Sequence, residues 1–223
     1  MVRRTRRRGS RRQGGRRVPG AIRQGRRGAF PPGRWGTGSE VLGTVIPEVE
    51  TERLLLRAWR ESDLDPYARM CADPEVMRYL PRMLNREQSE EQVAGFVRHW
   101  EERGFGLWAV EHRATGAFAG FIGLLHQEDW SEGEHKTEMG WRLERSFWGR
   151  GLATEGARAS LRYAFEDVDL GGISITLPEN AASRRVMEKA GLTLRGETSW
   201  KGYGVVWYAT DRREWEAGEP PAG

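Results

Sequence analysis

Gly149 and Gly151 flank an arginine and sit just before a run that reads as helix, with Ala153, Ala157 and Leu161 on one side. Glycines at such an entry allow positive φ and let a ligand approach the backbone. The first-turn N–H groups of a helix have no intrahelical partner, so an anionic phosphate is a natural guest. Arg150 adds positive charge to the same turn. The competing reading is a tight turn with no ligand, which a Gly-x-Gly alone does not exclude. A dinucleotide fingerprint would need glycine or alanine where Thr154 stands, and a parallel βαβ context; neither is present.

Other chemistries find less support. Cys71 is the single cysteine, so the sequence offers no intrachain disulfide, CxxC redox pair or cysteine-based zinc site, and a reducing cytoplasm fits. His99, His112, His126 and His135 lack the HExxH spacing, and no metal site is expected. No apolar run approaches the roughly 18 residues of a membrane span, and no apolar segment of a signal peptide follows the arginine-rich start. Charge is uneven: residues 1–34 hold 13 arginines and no acid, whereas residues 35–223 hold 23 Lys+Arg against 32 Asp+Glu. The net charge of +4 therefore belongs to the N-terminal stretch.

The elements that must position the glycine turn are legible in order. Residues 1–47, rich in Arg, Gly, Pro and Ser, read as a disordered tail. Its arginines suit RNA or ribosome contact. Alternatively they are merely solvated, or reflect an upstream start codon in a GC-rich genome, which the 33 Arg against 3 Lys suggest. A body over 48–217 follows, then a short tail over 218–223. Arg53–Trp59 reads as the first strand, and Ser62-Asp63-Leu-Asp-Pro66 starts a helix to about Ala72. Asp73-Pro74-Glu75 opens a helical turn through Tyr79, and Ser89-Glu-Glu-Gln92 has capping-box spacing for a helix stopped by Gly104. Leu107–His112 and Ala117–Leu125 form a hairpin, and Lys136–Leu143 is a third strand delivering the chain to the glycine turn. After the central helix come a strand at Ile173–Thr176, a helix over Ala181–Ala190 between Asn180 and Gly191, and strands around Thr193–Thr198 and Val205–Ala209. The order predicts an α/β (α+β) body, a mixed sheet with helices on both faces.

With these residues in view, the chain from about Glu50 to Trp215 resembles the GNAT superfamily of acyl-CoA-dependent N-acyltransferases, and within it the RimJ/RimL type that acetylates N-terminal amines of ribosomal proteins. The family's Gln/Arg-x-x-Gly-x-Gly/Ala signature falls on Trp148-Gly149-Arg150-Gly151-Leu152-Ala153, with tryptophan at the first position. Similar text stands at Glu50-Thr-Glu-Arg-Leu-Leu-Leu-Arg57, Thr154-Glu155, Asn180-Ala-Ala-Ser183, Glu188-Lys-Ala-Gly-Leu192 and Trp207–Trp215. The resemblance implies the GNAT fold, a mostly antiparallel sheet of about seven strands flanked by helices.

It also implies roles. Acetyl-CoA would be the acyl donor. Trp141, Arg142 and Leu143 would hold pantetheine through their backbone, and the N–H groups of Gly149, Arg150, Gly151, Leu152, Ala153 and Thr154 would take the pyrophosphate. Asn180 would reach the pantetheine arm as well as capping its helix, with Ser183 near the thiol end. A protonated amine has no lone pair with which to attack a thioester, so something must accept its proton and something must protonate the leaving sulfur. Glu138 is the candidate base for direct attack through a tetrahedral intermediate, whose oxyanion strand N–H groups near Gly140 would stabilise. Many relatives supply the acid as a tyrosine where this chain has Met187; Ser183 is the substitute, with Tyr203 or Tyr208 behind it.

The acceptor is the least legible part. Segments 78–103 and Gln127–Glu134 should frame its entrance, and Trp130 could cover it. Glu128, Asp129, Glu132 and Glu134 would favour a cationic amine, or form a solvated acidic loop. The expected acceptor is a protein N-terminal α-amine; a small molecule (aminoglycoside or polyamine), or a non-catalytic acyl-CoA-binding or RNA-associated role, stands as the alternative. RNA or ribosome contact through residues 1–34 and a homodimer are carried as partner options.

Overall fold

A computed structural model of the protein describes residues 46–218. In chain order these form β1 (Val49–Glu50), β2 (Leu54–Arg57), α1 (Leu64–Ala72), α2 (Arg86–Arg103), β3 (Leu107–His112), β4 (Ala117–His126), β5 (Thr137–Leu143), α3 (Leu152–Glu166), β6 (Gly172–Thr176), α4 (Ala181–Ala190), β7 (Thr193–Trp200), β8 (Tyr203–Thr210) and α5 (Arg212–Gly218). The strands make one eight-stranded sheet in the order β1-β2-β3-β4-β5-β6-β8-β7. Every neighbouring pair is antiparallel except β5 with β6, which are parallel. Most of the tail expected over 1–47 lies outside the described residues. Its last two positions belong to the body: Ile46 packs on the core, and the Pro47 carbonyl accepts from the Trp108 indole at 2.8 Å. The C-terminal tail likewise lies outside them, apart from Gly218, which ends α5.

Local chemistry moves several expected boundaries. α2 begins at Arg86 because Asn85 caps it, its side chain accepting from the Gln88 N–H while the Gln88 side chain accepts from the Asn85 N–H. Ser89, expected as the cap, lies inside the helix and donates to the Asn85 carbonyl at 2.8 Å. Residues 74–79 are turns rather than a sustained helix: the Asp73 carboxylate takes the Glu75 N–H at 2.9 Å and the Asp73 carbonyl takes the Met77 N–H at 3.0 Å, a single helical turn that is not propagated. Asp63 does not cap α1. Its buried carboxylate receives the Arg57 guanidinium at 2.7 and 2.9 Å, and a short 3-10 turn, Glu61–Asp63, precedes the helix. β7 and β8 run longer than expected because Lys201 and Gly202, at φ 50° and 85°, close them into a tight hairpin.

Strand alternation assigns the two faces. On one, α1 and α2 cover β3 and β4 through Tyr67, Val93 and Phe96 against Leu107, Ala109 and Phe121. On the other, α3 and α4 pack on Leu54, Leu56, Ile122, Leu124, Met139 and Tyr208. A smaller cluster of Trp130, Ile173 and Ala209, with Trp200 and Trp207 against it, covers the β6–β8 end of the first face. β5 runs between these masses.

Candidate active site

The parallel pair β5–β6 touches at a single ladder position, Glu138 opposite Ile173. One residue on, the Ser174 hydroxyl donates to the Met139 carbonyl at 2.9 Å. Met139 thus presents its polar backbone toward β6, and by alternation so do Trp141 and Leu143, while the β4 ladder takes those of Gly140 and Arg142. No strand pairs with the β6-facing edge from Gly140 to Leu143 among the described residues. The Leu143 carbonyl is taken by the Trp148 indole at 2.8 Å. What stays open is the N–H and carbonyl of Trp141 and the N–H of Leu143, a row that an extended amide-bearing ligand can extend as an added strand would. Arg142, expected with them, turns its backbone into the sheet.

Beyond the open edge the chain passes a 3-10 turn, Arg145–Phe147, into the glycine turn. Gly149 and Gly151 have φ of 70° and 77°, and Gly151 caps α3 without any side-chain cap. The first helical bond recorded there is Glu155 N–H to the Gly151 carbonyl, so the N–H groups of Leu152, Ala153 and Thr154 are left for a ligand. The turn is held from behind. Arg53 donates to the Arg150 carbonyl at 2.8 Å and binds Glu155, which also accepts from the Thr51 hydroxyl at 2.6 Å and the Arg53 N–H at 2.8 Å. Burial alone would raise the Glu155 pKa, but Thr51 and Arg53 hold it below the usual range. The Arg150 side chain lies over the Phe147 ring, near His112.

Glu138, Gly140 and Arg142 share the β5 face that looks toward α1, α2 and the 127–136 loop, since their ladder partners are Leu125, Gly123 and Phe121. Glu138 is half-buried. Burial pushes its carboxyl up to about 7; the Gln127 amide, which donates to it, and Lys201 pull the other way, and Asp129 adds to the rise. That value suits a group accepting a proton near neutrality. Lys201 also binds Gln127 at 3.3 Å and Asp129 at 3.5 Å. The expected acidic mouth is largely spent on such contacts: Glu128 meets His126 at 2.7 Å and Glu132 accepts from Thr198 at 2.9 Å. Trp130 is a wall rather than a cover, 3% exposed and edge-on to both Trp200 and Trp207 at 5.7 Å.

Across the split from β5, the Asn180 side chain caps α4 by accepting from the Ser183 N–H at 3.1 Å. The Ser183 hydroxyl makes no hydrogen bond among the described residues. Met187 is fully buried in the α3–α4 core. The Tyr208 hydroxyl is committed to Glu188 at 3.1 Å and Arg184 at 3.2 Å, and Tyr203 is exposed at the start of β8.

A split strand edge, an open helix start and a carboxyl titrating near neutrality lie together on one strand and the turn after it. Residues 53–193 match the acetyltransferase (GNAT) domain family. The chain belongs to the GNAT acetyltransferase family. A relative in Aspergillus fumigatus, FsC-acetyl coenzyme A-N(2)-transacetylase, is 33% identical over 196 residues, covering 79% of this chain and 81% of that protein. The solved acetyltransferase from Agrobacterium tumefaciens is 28% identical with a TM-score of 0.66, over 78% of this chain and 100% of that one. A RimL ribosomal α-N-protein acetyltransferase in complex with coenzyme A is similar in fold alone, at 19% identity and TM-score 0.58, over 72% of this chain and 95% of that one.

This GNAT enzyme is an N-acetyltransferase whose acyl donor is acetyl-CoA. The open β5 edge fits an amide-bearing arm, and the uncapped start of α3 fits a pyrophosphate. Reasoning from sequence alone missed Gln127, Lys201 and Ser174, whose roles arise only when strands meet. Arg53 and Glu155 both lie in the family-like segments, and the contact between them spans 102 positions.

Proposed function

We propose that the protein transfers an acetyl group to a primary amine held over the outer face of β5, and that the acceptor is a protein N-terminal α-amine, as in RimJ/RimL-type enzymes. The observation that carries the catalytic part is Glu138, a half-buried carboxyl pushed to about 7, on the strand whose edge is split from β6. Bound acetyl-CoA supplies a thioester, an acetyl carbonyl activated toward amine attack. The chain's part is to position and to move protons. The Trp141 and Leu143 backbone holds the pantetheine arm, with Asn180 reaching it from α4. The N–H groups from Gly149 to Thr154 hold the pyrophosphate.

Glu138 takes the proton from the acceptor's ammonium, directly or through one water, and Gln127 keeps the carboxylate oriented while it does so. The Trp141 N–H, facing the open edge, is the preorganised donor for developing negative charge, a refinement of the expected site near Gly140. The uncommitted Ser183 hydroxyl gives its proton to the leaving sulfur and regains one from the positively charged nitrogen as the tetrahedral intermediate collapses to the amide. Support for a protein N-terminus as acceptor is the likeness in fold to RimL and the family text shared with that type.

The test is transfer from acetyl-CoA, followed by mass, to Ala- and Ser-initiated peptides beside a polyamine and an aminoglycoside. Acetylation of the peptide α-amine, slowed by at least about 10²-fold in Glu138→Gln, is the expected result. Preference for either small amine would overturn the acceptor assignment, and full activity in the variant would overturn the base.

A further inference from the structure

Gly140 leaves a bare step on the sheet face beneath α1 and α2, and its ladder partner is also a glycine, Gly123, packed closely against the Gly106 carbonyl. A Cβ added at Gly140 would meet no atom within 4 Å, so the space above it is open. Glu138 and Leu125 bound this step on one side, Arg142 and Phe121 on the other. A carboxyl and a guanidinium thus face the same gap from its two ends, their Cα atoms four residues or about 13 Å apart along the strand.

Arg142 is half-buried, its guanidinium 5.1 Å from the Phe121 ring centroid and donating to the Cys71 sulfur at 3.3 Å. Among the described residues it has no carboxylate partner. Arg57, the other arginine deep on this side, binds both Asp63 and Glu111. A thiol is a weak acceptor and the Tyr67 hydroxyl takes one further bond from the guanidinium, so the planar fork still has donors to spare. The adjacent Tyr67 supplies no countercharge. Its hydroxyl donates to Gln92, and burial pushes its phenol well above the usual range, which keeps it neutral. A half-buried cation without an anion is costly, and a guanidinium is shaped to receive a carboxylate through two parallel bonds.

We propose that the acceptor carries a carboxylate within a residue or two of its reacting amine, and that Arg142 holds this carboxylate across the Gly140 step from Glu138. The inference rests on the transferase reading above and names its acceptor class: an acid-bearing amine, in place of the cationic one that the acidic loop suggested. The carboxylate has two sources, an acidic side chain at the second position of a peptide N-terminus or the carboxylate of a free dipeptide.

The experiment compares matched acceptors: C-terminally amidated peptides beginning Ser-Glu against Ser-Gln, and free Ala-Ala against its amide. In the parent enzyme the acid member of at least one pair is expected to be favoured about 10- to 100-fold in kcat/KM, the range for a hydrogen bond to a charged group. The favoured pair identifies the source. Arg142→Ala should bring that ratio to about one, and Arg142→Lys, which keeps charge without the fork, should keep part of it; melting curves verify that each variant folds. Because the readout is a ratio within one protein, a purely structural loss leaves it unmoved. A ratio near one for both pairs in the parent, or an unchanged ratio in Arg142→Ala, overturns the proposal. If neutral amines alone are acetylated, this inference falls and the transferase reading stands. If acetyl-CoA binds and no amine accepts acetyl, both fall.

Discussion

Glu138 owes its behaviour to where it sits. A carboxyl on an exposed strand titrates near the ordinary value; burial brings this one to about 7, against the pull of Gln127 and Lys201. The acidic limb of the kcat/KM profile is therefore expected at an apparent pKa near 7. Glu138→Gln should lower kcat by about 10²- to 10⁴-fold, the span of general base catalysis. A stability effect of definite sign accompanies this. With the folded pKa above the unfolded one, the folded state binds the extra proton between the ordinary carboxyl range and about 7, so stability falls as pH rises through that window and levels off above it. Denaturant titrations across the window should show this slope in the parent and not in Glu138→Gln, which should be the more stable of the two at pH 8. The sequence could offer Glu138 as a candidate through family likeness but not its pKa, because Gln127 and Lys201 reach it from separate segments. For the acid the sequence offered Ser183 with Tyr203 or Tyr208 behind it, whereas the commitment of Tyr208 to Glu188 and Arg184 is visible only in the fold.

At the scale of elements, the glycine turn is a device with a brace. Its glycines and the helix after it are local features, and local patterns revealed them, as they did the β3–β4 hairpin and the Gly104 and Gly191 helix ends. The brace is not local. Arg53 and Glu155 lie far apart in sequence, and their contact depends on β2 lying beside α3. The same reason hid the short β1, which exists only by pairing with β2. Arg53→Ala or Glu155→Gln should free the Arg150 carbonyl and loosen the turn, weakening acetyl-CoA binding about tenfold, as expected for loss of a hydrogen bond to a charged group. Acetyl-pantetheine, which lacks the pyrophosphate, should be affected little. Competition of the two compounds for each variant separates a fault in the turn from a fault in the whole site.

For the whole molecule, the arrangement explains why one strand carries so much. β5 gives one face to the α1–α2 side, the other to the α3–α4 core, and one edge to neither, because its parallel partner leaves it after a single ladder pair. A mixed sheet with helices on both faces was readable from element succession; the order of strands beyond β5 was not. The split was not, since both strands look like ordinary strands in sequence. The 13 arginines of residues 1–34 make a separate prediction: RNA retention that weakens with salt and is lost when residues 1–45 are removed, read by filter binding. The most direct test of the central claim, that acetyl-CoA is held by the glycine turn and the open edge of β5, is calorimetric titration of acetyl-CoA at physiological ionic strength into the full chain and a Gly149→Trp variant. An added side chain at Gly149 enters open space. One-to-one binding in the parent, weakened at least tenfold in a variant that still folds, is the predicted result, and equal binding by both proteins, or none by the parent, would contradict it.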